Sequence, residues 1–211
     1  MKRKNILFFI LLFILLVFIY NDYNYDYYNG DELIYVRNFL DEKDFNKVLR
    51  LNRDKHNFKN EDFRYIKPLK DKEIYDIFYS DKYMNKLKDL LKNENISNSD
   101  FPIEHRIYPV GSKGMNWHRD TLLYDLPQYE GVFTIRNESD SETQWMDENN
   151  KKNSIWTEPN SILIVKAMGF NHYVTPVLKG ERDILKIIYT QSNEINDNYK
   201  REMKRFNSMN I

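Results

Sequence analysis

Apolar and polar positions are distributed in three distinct ways along this chain. From Ile6 to Tyr20 every residue is aliphatic or aromatic, so this segment has no polar face and does not resemble a helix packed on a soluble core. Lys2, Arg3 and Lys4 precede it, and the polar-aromatic stretch Asn21–Tyr28 follows. A basic start leading into an apolar run is either a cleaved signal peptide or an uncleaved signal-anchor. The run is short beside the ~20 residues of a typical span. No pair of small residues follows it to permit cleavage, so the reading is a single membrane-anchor helix with Asn21–Tyr28 as interfacial belt and linker. The positive-inside rule then leaves the amino terminus cytosolic and places the rest on the lumenal or extracellular side.

A second pattern runs from Glu32 to Asn98. Glu32–Phe39 is a short β-type run, and Asp41 is a plausible N-cap for a helix over Glu42–Leu51. Two further helices are predicted over Asp71–Ser80 and Asp81–Asn93. In the second of these, Tyr83, Leu87, Leu90 and Leu91 form an apolar stripe at helical spacing, which reads as core packing. Beyond Asn98 a third pattern takes over, of short β-rich runs separated by turn residues. They cover Ile103–Tyr108, Met115–Leu123, Gly131–Arg136, Thr143–Met146, Ser161–Lys166, Tyr173–Val177 and Ile184–Thr190, with Asn149–Asn153 as a hairpin loop. Strands at this spacing without helical interludes indicate a sandwich or jelly roll rather than a parallel α/β sheet.

The predicted fold class is therefore α+β with a mainly β core, flanked by amino-terminal helices and preceded by the anchor. Residues 1–30 form the cytosolic tip, anchor and linker; 31–98 the first strand and supporting helices; 99–192 the jelly-roll core; and 193–211 a polar tail able to form a helix. Lys+Arg and Asp+Glu are equal at 32 each. Without residues 1–30 the domain lies one negative charge from neutrality, so no global field draws it to nucleic acid. The chain has no cysteine, which excludes disulfides, thiolate metal sites and cysteine nucleophiles, so any metal must be held by histidine and carboxylate. On the lumenal side, Asn95-Ile-Ser97 and Asn137-Glu-Ser139 would be candidate glycosylation sequons.

His118-Arg119-Asp120 puts an imidazole and a carboxylate two positions apart on a predicted strand, where i and i+2 share a face. A third ligand from a distant strand would complete a two-histidine, one-carboxylate facial triad, the preferred site of non-haem Fe(II) oxygenases. Farther along, Ser161-Ile-Leu-Ile-Val165 leads to His172-Tyr-Val-Thr-Pro-Val177, then Gly180, Glu181, Arg182 and Ile184–Thr190. This segment resembles the second half of the 2-oxoglutarate/Fe(II) dioxygenase motif, especially its prolyl-4-hydroxylase-like branch. There a histidine is followed by a Pro-Val pair, a Gly turn and a basic residue about ten positions on. The family fold, a double-stranded β-helix, agrees with the strand pattern, and the match spans roughly Glu32 to Ser192.

By that resemblance His118, Asp120 and His172 hold Fe(II) and are the catalytic centre, and Arg182 binds the far carboxylate of 2-oxoglutarate. A guanidinium fork suits that bidentate task. Tyr108, ten residues before His118, corresponds to a tyrosine that bonds the cosubstrate. O2 is the co-oxidant, and ascorbate would serve reactivation. Lys186 falls on the same strand face as Arg182 and is a candidate second cation, provided the register is right. The chain departs from its relatives at Ser141-Glu-Thr-Gln-Trp145, where many carry Gly-Gly-Glu-Leu on the substrate side. Trp117, Tyr124 and Trp145 are read as wall or core packing, and His56 and His105 as structural or surface residues. The resemblance points to a peptidyl proline or lysine as substrate, with a small molecule as the other option. Two rival readings stand beside it: an inactive membrane-tethered jelly-roll binding module, and a zinc hydrolase using the same ligands.

Overall fold

The computed structural model describes residues 32–61 and 64–207. The predicted anchor over 6–20, with its tip and linker, lies outside the described residues. Among these, no helix is long and apolar enough to cross a membrane.

Twelve strands and four α-helices follow in order: β1 (Leu33–Val36), α1 (Glu42–Val48), β2 (Lys59–Glu61), β3 (Arg64–Pro68), α2 (Lys72–Phe78), α3 (Asp81–Leu91), β4 (Ser97–Asn98), β5 (Glu104–Tyr108) and β6 (Met115–His118). Then come β7 (Tyr129–Asn137), β8 (Thr143–Met146), β9 (Lys152–Ile155), β10 (Ser161–Lys166), β11 (His172–Val174), β12 (Arg182–Thr190) and α4 (Asp197–Asn207). An eight-stranded antiparallel sheet runs β1-β10-β7-β12-β5-β3-β2, with β4 on β12, and a four-stranded sheet runs β6-β11-β8-β9. This is the jelly-roll arrangement that the strand spacing predicted.

The central strands of the larger sheet are buried on both faces, and alternation sorts their side chains into two cores. Ile162, Ile164, Leu185 and Ile187 face α1–α3, where they pack with Phe39, Phe78, Tyr83 and Leu87. Leu163 and Val165 face the smaller sheet, where they meet Trp145 and Ile155. The helices lie where their caps allow. Asp41 accepts from the Asp44 amide at 2.8 Å, and Asp71 accepts from the Glu73 amide at 2.9 Å, each satisfying one orphan donor of a first turn.

Three expectations are corrected, and strands β2 and β3 are new. The first helix ends at Val48 rather than Leu51, because the Arg50 and Leu51 amides tighten onto Lys47 and Val48 at 3.1 Å each. The predicted strand Met115–Leu123 stops at His118. Beyond it the Asp120 carbonyl accepts from Met168, and the Leu123 amide bonds the Gln128 side chain, so neither joins a ladder. β2 and β3 have no counterpart among the predicted elements, since Lys and Pro dilute their alternation. They form because β5 needs an edge partner on the side away from β12. Asn137 is buried and donates to the Thr157 carbonyl at 2.9 Å, which removes it as a glycan acceptor; Asn95 is exposed.

The 193–211 tail contains α4. The Asn196 side chain accepts from the Asn198 amide at 2.9 Å and from that of Tyr199 at 3.2 Å, a side-chain cap. Tyr199, Met203 and Phe206 then form a stripe on Phe101, Leu123, Tyr124 and Ile188.

Gly180 precedes β12 at φ +67, and a Cβ there would collide with the Glu138 carbonyl. A non-glycine residue must then move the turn that aims Arg182. Gly180→Ala is expected to destabilise the fold by about 2 kcal/mol or more, read as a lowered urea midpoint with unchanged m-value.

Candidate metal and cosubstrate site

β6 and β11 are paired so that His118 and His172 are direct cross-strand partners. Their ring centroids lie 4.2 Å apart. Asp120, two residues past His118 and off the strand, turns back between them. Its carboxylate oxygens lie 3.7 Å from His118 Nε2 and 3.5 Å from His172 Nε2. One ligand atom from each residue falls within 4.8 Å of the others, the only such group among the described residues. Strand pairing brings in residue 172, and the strand end lets Asp120 fold inward.

The imidazoles are already oriented. His118 Nδ1 is 2.7 Å from the Asn116 carbonyl, and His172 Nδ1 is 3.1 Å from that of Phe170. A carbonyl can only accept, so each ring carries its proton on Nδ1 and keeps the Nε2 lone pair for a metal. The His118 pKa is raised, first by the Asp120 carboxylate beside it, whereas burial lowers that of His172. Burial pushes the Asp120 carboxyl up, but His118 beside it and the Lys186 and His172 charges hold it at about 2. Two imidazoles and one carboxylate form a donor set that fits a divalent first-row metal.

The triad opens on a cavity between the sheets. Tyr108 and Arg182 are cross-strand partners on its wall. Arg182 is 4% exposed, its Nε has no hydrogen-bond partner, and among the described residues no carboxylate pairs with it. Burial lowers its pKa. Burial also opposes ionisation of the Tyr108 phenol, but Arg106 and Arg64 beside it bring its pKa below the ordinary value. An uncompensated buried guanidinium is costly, and a carboxylate entering the cavity relieves that cost. Such a cradle, with the triad, fits a chelating dicarboxylate.

Lys186 lies in the same cavity, as alternation predicted. It is not a second free cation, because Glu130 neutralises it at 2.5 Å. Arg106 is likewise satisfied by Glu104, with contacts of 2.9–3.1 Å. Glu130, Glu104 and Arg106 were missed. Counting back by twos from Tyr108 along β5 reaches Arg106 and Glu104, so that signal was available. Thr143, in the stretch that departs from the relatives, also lines the cavity. Tyr124 and Trp145 are buried at 3% and 1%, but Trp117 is 41% exposed. Trp117 stacks on Tyr173 instead of packing inside, because its neighbour His118 takes the inward position. His56 is exposed, whereas His105 is fully buried against Asp183 at 2.6 Å.

No protein-family model and no curated protein matches the sequence. Solved structures do match in shape. A 2OG-Fe(II) oxygenase-family oxidoreductase from Burkholderia pseudomallei superposes with a TM-score of 0.66 at 12% identity, over 78% of this chain and 87% of that one. A Trichoplax adhaerens prolyl hydroxylase, solved with a hypoxia-inducible-factor peptide fragment, gives 0.59 at 16% identity over 76% and 84%. HygX from Streptomyces hygroscopicus, solved with nickel, 2-oxoglutarate and hygromycin B, gives 0.53 at 9% over 76% and 83%. The fold is that of the 2-oxoglutarate/Fe(II) oxygenases.

Proposed function

We propose that this protein is a 2-oxoglutarate- and Fe(II)-dependent dioxygenase that hydroxylates a peptidyl proline or lysine. The observation that carries the reading is Arg182, a buried guanidinium without a carboxylate partner, in one cavity with a convergent His118–Asp120–His172 triad. Neither a zinc hydrolase nor an inactive binding module needs an orphan cation there.

His118, Asp120 and His172 would hold the metal and leave its remaining positions to ligands. Arg182 would bind the far carboxylate of 2-oxoglutarate, with Tyr108 donating its hydroxyl to the same group. With O2, the loaded centre supplies the oxidising power that hydroxylates a C–H bond while 2-oxoglutarate becomes succinate and CO2. The apolar walls, Val132, Leu163, Val165 and Ile184, keep water from the cosubstrate and strengthen the Arg182 contact. The Lys186–Glu130 pair fixes the charge beside Asp120, so the carboxylate stays available to the metal. The Trichoplax neighbour's peptide ligand supports a peptide substrate. The basic-then-apolar amino terminus supports a membrane-tethered enzyme with its catalytic domain on the lumenal or extracellular side.

The test is anaerobic titration of the full chain with Fe(II) and then 2-oxoglutarate. A visible metal-to-ligand charge-transfer band is expected, followed by succinate release when air and candidate peptides are admitted. Activity with Zn(II) and no need for 2-oxoglutarate would instead identify the hydrolase. Arg182→Gln is expected to keep Fe(II) binding but raise the 2-oxoglutarate concentration needed for half the band by about 30-fold or more, the scale of losing one partner of a buried charge pair. Unchanged 2-oxoglutarate affinity in that variant would overturn the role given to Arg182.

A further inference from the structure

A groove of about 510 Å³ adjoins the metal site and shares Met115, His118 and Asp120 with the inner cavity. Its walls come from β2, β3, β5, the segment after β6, and α4. A ligand reaching the metal from this side must lie against them. The charges along the groove divide cleanly. Glu104 pairs with Arg106, Glu130 with Lys186, and Glu61 and Glu202 with Arg205 at 2.9 Å each. Every lining carboxylate other than the metal-facing Asp120 is therefore engaged.

Among the described residues, three lining arginines have no such partner. Arg64 projects from β3 on the same face as Ile66 and Arg106, one step beyond the Tyr65–Ile107 pair. Its Nε is buried without a hydrogen bond, and among the described residues no carboxylate lies within ion-pair distance. Arg119 is exposed beside the metal ligands. Arg201, on α4, bonds only the neutral Asn198 side chain at 2.9 Å. The three come from separate elements on different walls, so they suit an extended ligand with more than one negative group better than one small anion.

We propose that this groove is the substrate channel and that it selects an acidic polypeptide segment, with Arg64 reading a carboxylate close to the residue to be hydroxylated and Arg119 and Arg201 reading acidic residues farther out. The proposal deepens the oxygenase reading and rests on it. Desolvation makes Arg64 the selective contact, while the two exposed arginines act mainly through steering. The carboxy-terminal helix is then part of the recognition surface as well as a packing element.

The test uses the full chain loaded with Mn(II) and 2-oxoglutarate, and anisotropy of three labelled proline-centred peptides whose flanking residues are Asp, Asn or Lys. The Asp peptide is expected to bind about tenfold more tightly than the Asn peptide, with the Lys peptide weakest and the preference shrinking at high salt. Arg64→Gln should bring the Asp and Asn peptides to within about twofold, and Arg64→Lys should restore part of the difference. Arg119→Gln and Arg201→Gln, at exposed positions that leave the fold intact, should each weaken only the Asp peptide, by about threefold. Equal binding of the three peptides, or a preference that survives all three glutamine variants, overturns the proposal. Displacement of the Asp peptide by inorganic phosphate with the same dependence on Arg64 would assign a small anion instead and also overturn it. The charge-transfer band, read on the Fe(II) form of each variant, reports separately on the oxygenase reading, so a lost preference with an intact band refutes only the channel.

Discussion

His172→Ala is expected to abolish both the charge-transfer band and succinate formation while leaving a folded domain. Three protein atoms form the proposed metal site, and His172 supplies the one that β11 brings alongside His118 on the neighbouring strand β6. Losing an outer-shell partner of a metal ligand costs roughly 10–100-fold in affinity or activity, so losing the ligand itself must cost more. The fold should survive because the ring's hydrogen bond is to a single backbone carbonyl and the neighbouring core belongs to Trp145 and Leu163. Metal content by mass spectrometry, the visible spectrum and far-ultraviolet circular dichroism on one preparation decide the matter. A variant that still binds stoichiometric Fe(II) and shows the band would remove His172 from the centre.

Asp183→Ala should produce the largest loss of stability. The Asp183 side chain is 0% exposed and serves three donors: His105 Nε2 at 2.6 Å, Arg53 Nε at 2.9 Å and Arg136 Nη1 at 3.1 Å. Truncation leaves a buried imidazole and two guanidinium groups without their shared acceptor, and breaking a buried pair on one side costs about 3–5 kcal/mol. Arg53 and Arg136 are 38% and 30% exposed on their side chains, so solvent recovers part of that, and about 3 kcal/mol is expected. For a domain of this size the melting temperature should fall by roughly 6–12 °C. Asp183→Asn, which keeps an acceptor but not the charge, should lose less. Asp183 also follows Arg182 directly, at an irregularity where β12 shifts register against β7. A loosened Asp183 therefore lets Arg182 move, and 2-oxoglutarate affinity should weaken in the alanine variant although Asp183 never faces the cavity. Stability within about 1 kcal/mol of wild type would show that the cluster is electrostatically idle.

Most strands beyond Asn98 were legible as β-rich runs separated by turn residues, but β9 (Lys152–Ile155) was not, since its first two residues fall in the predicted Asn149–Asn153 loop. Ser161–Lys166 and Thr143–Met146 have the predicted bounds. The helix after Asp41 was legible from its cap and acidic first turn, and the helix from Asp81 from the apolar stripe Tyr83, Leu87, Leu90 and Leu91. β2 and β3 were not, since Lys59–Glu61 and Arg64–Pro68 bear polar residues and a proline, and only the open edge of β5 makes them strands. Asp120 was placed on a strand that ends before it, because a local pattern cannot register a long-range hydrogen bond such as that from Met168.

The sequence by itself supplied the candidate ligands His118, Asp120 and His172, their order and the candidate cation at residue 182, through the resemblance to the dioxygenase motif. It also determined that Arg182 and Lys186 would face one side, since strand alternation is a local property of the backbone; only strand pairing sets Tyr108 beside Arg182. Only the tertiary structure decided which of the cavity's charges remain free. Lys186 is neutralised by Glu130, 56 positions earlier in the chain, whereas Arg182 and Arg64 meet no carboxylate among the described residues. Whether a buried cation is a structural pair or a waiting ligand site depends on what lies within a few ångströms across the sheet. Pairing of strands distant in sequence sets that neighbourhood, and no local pattern encodes it.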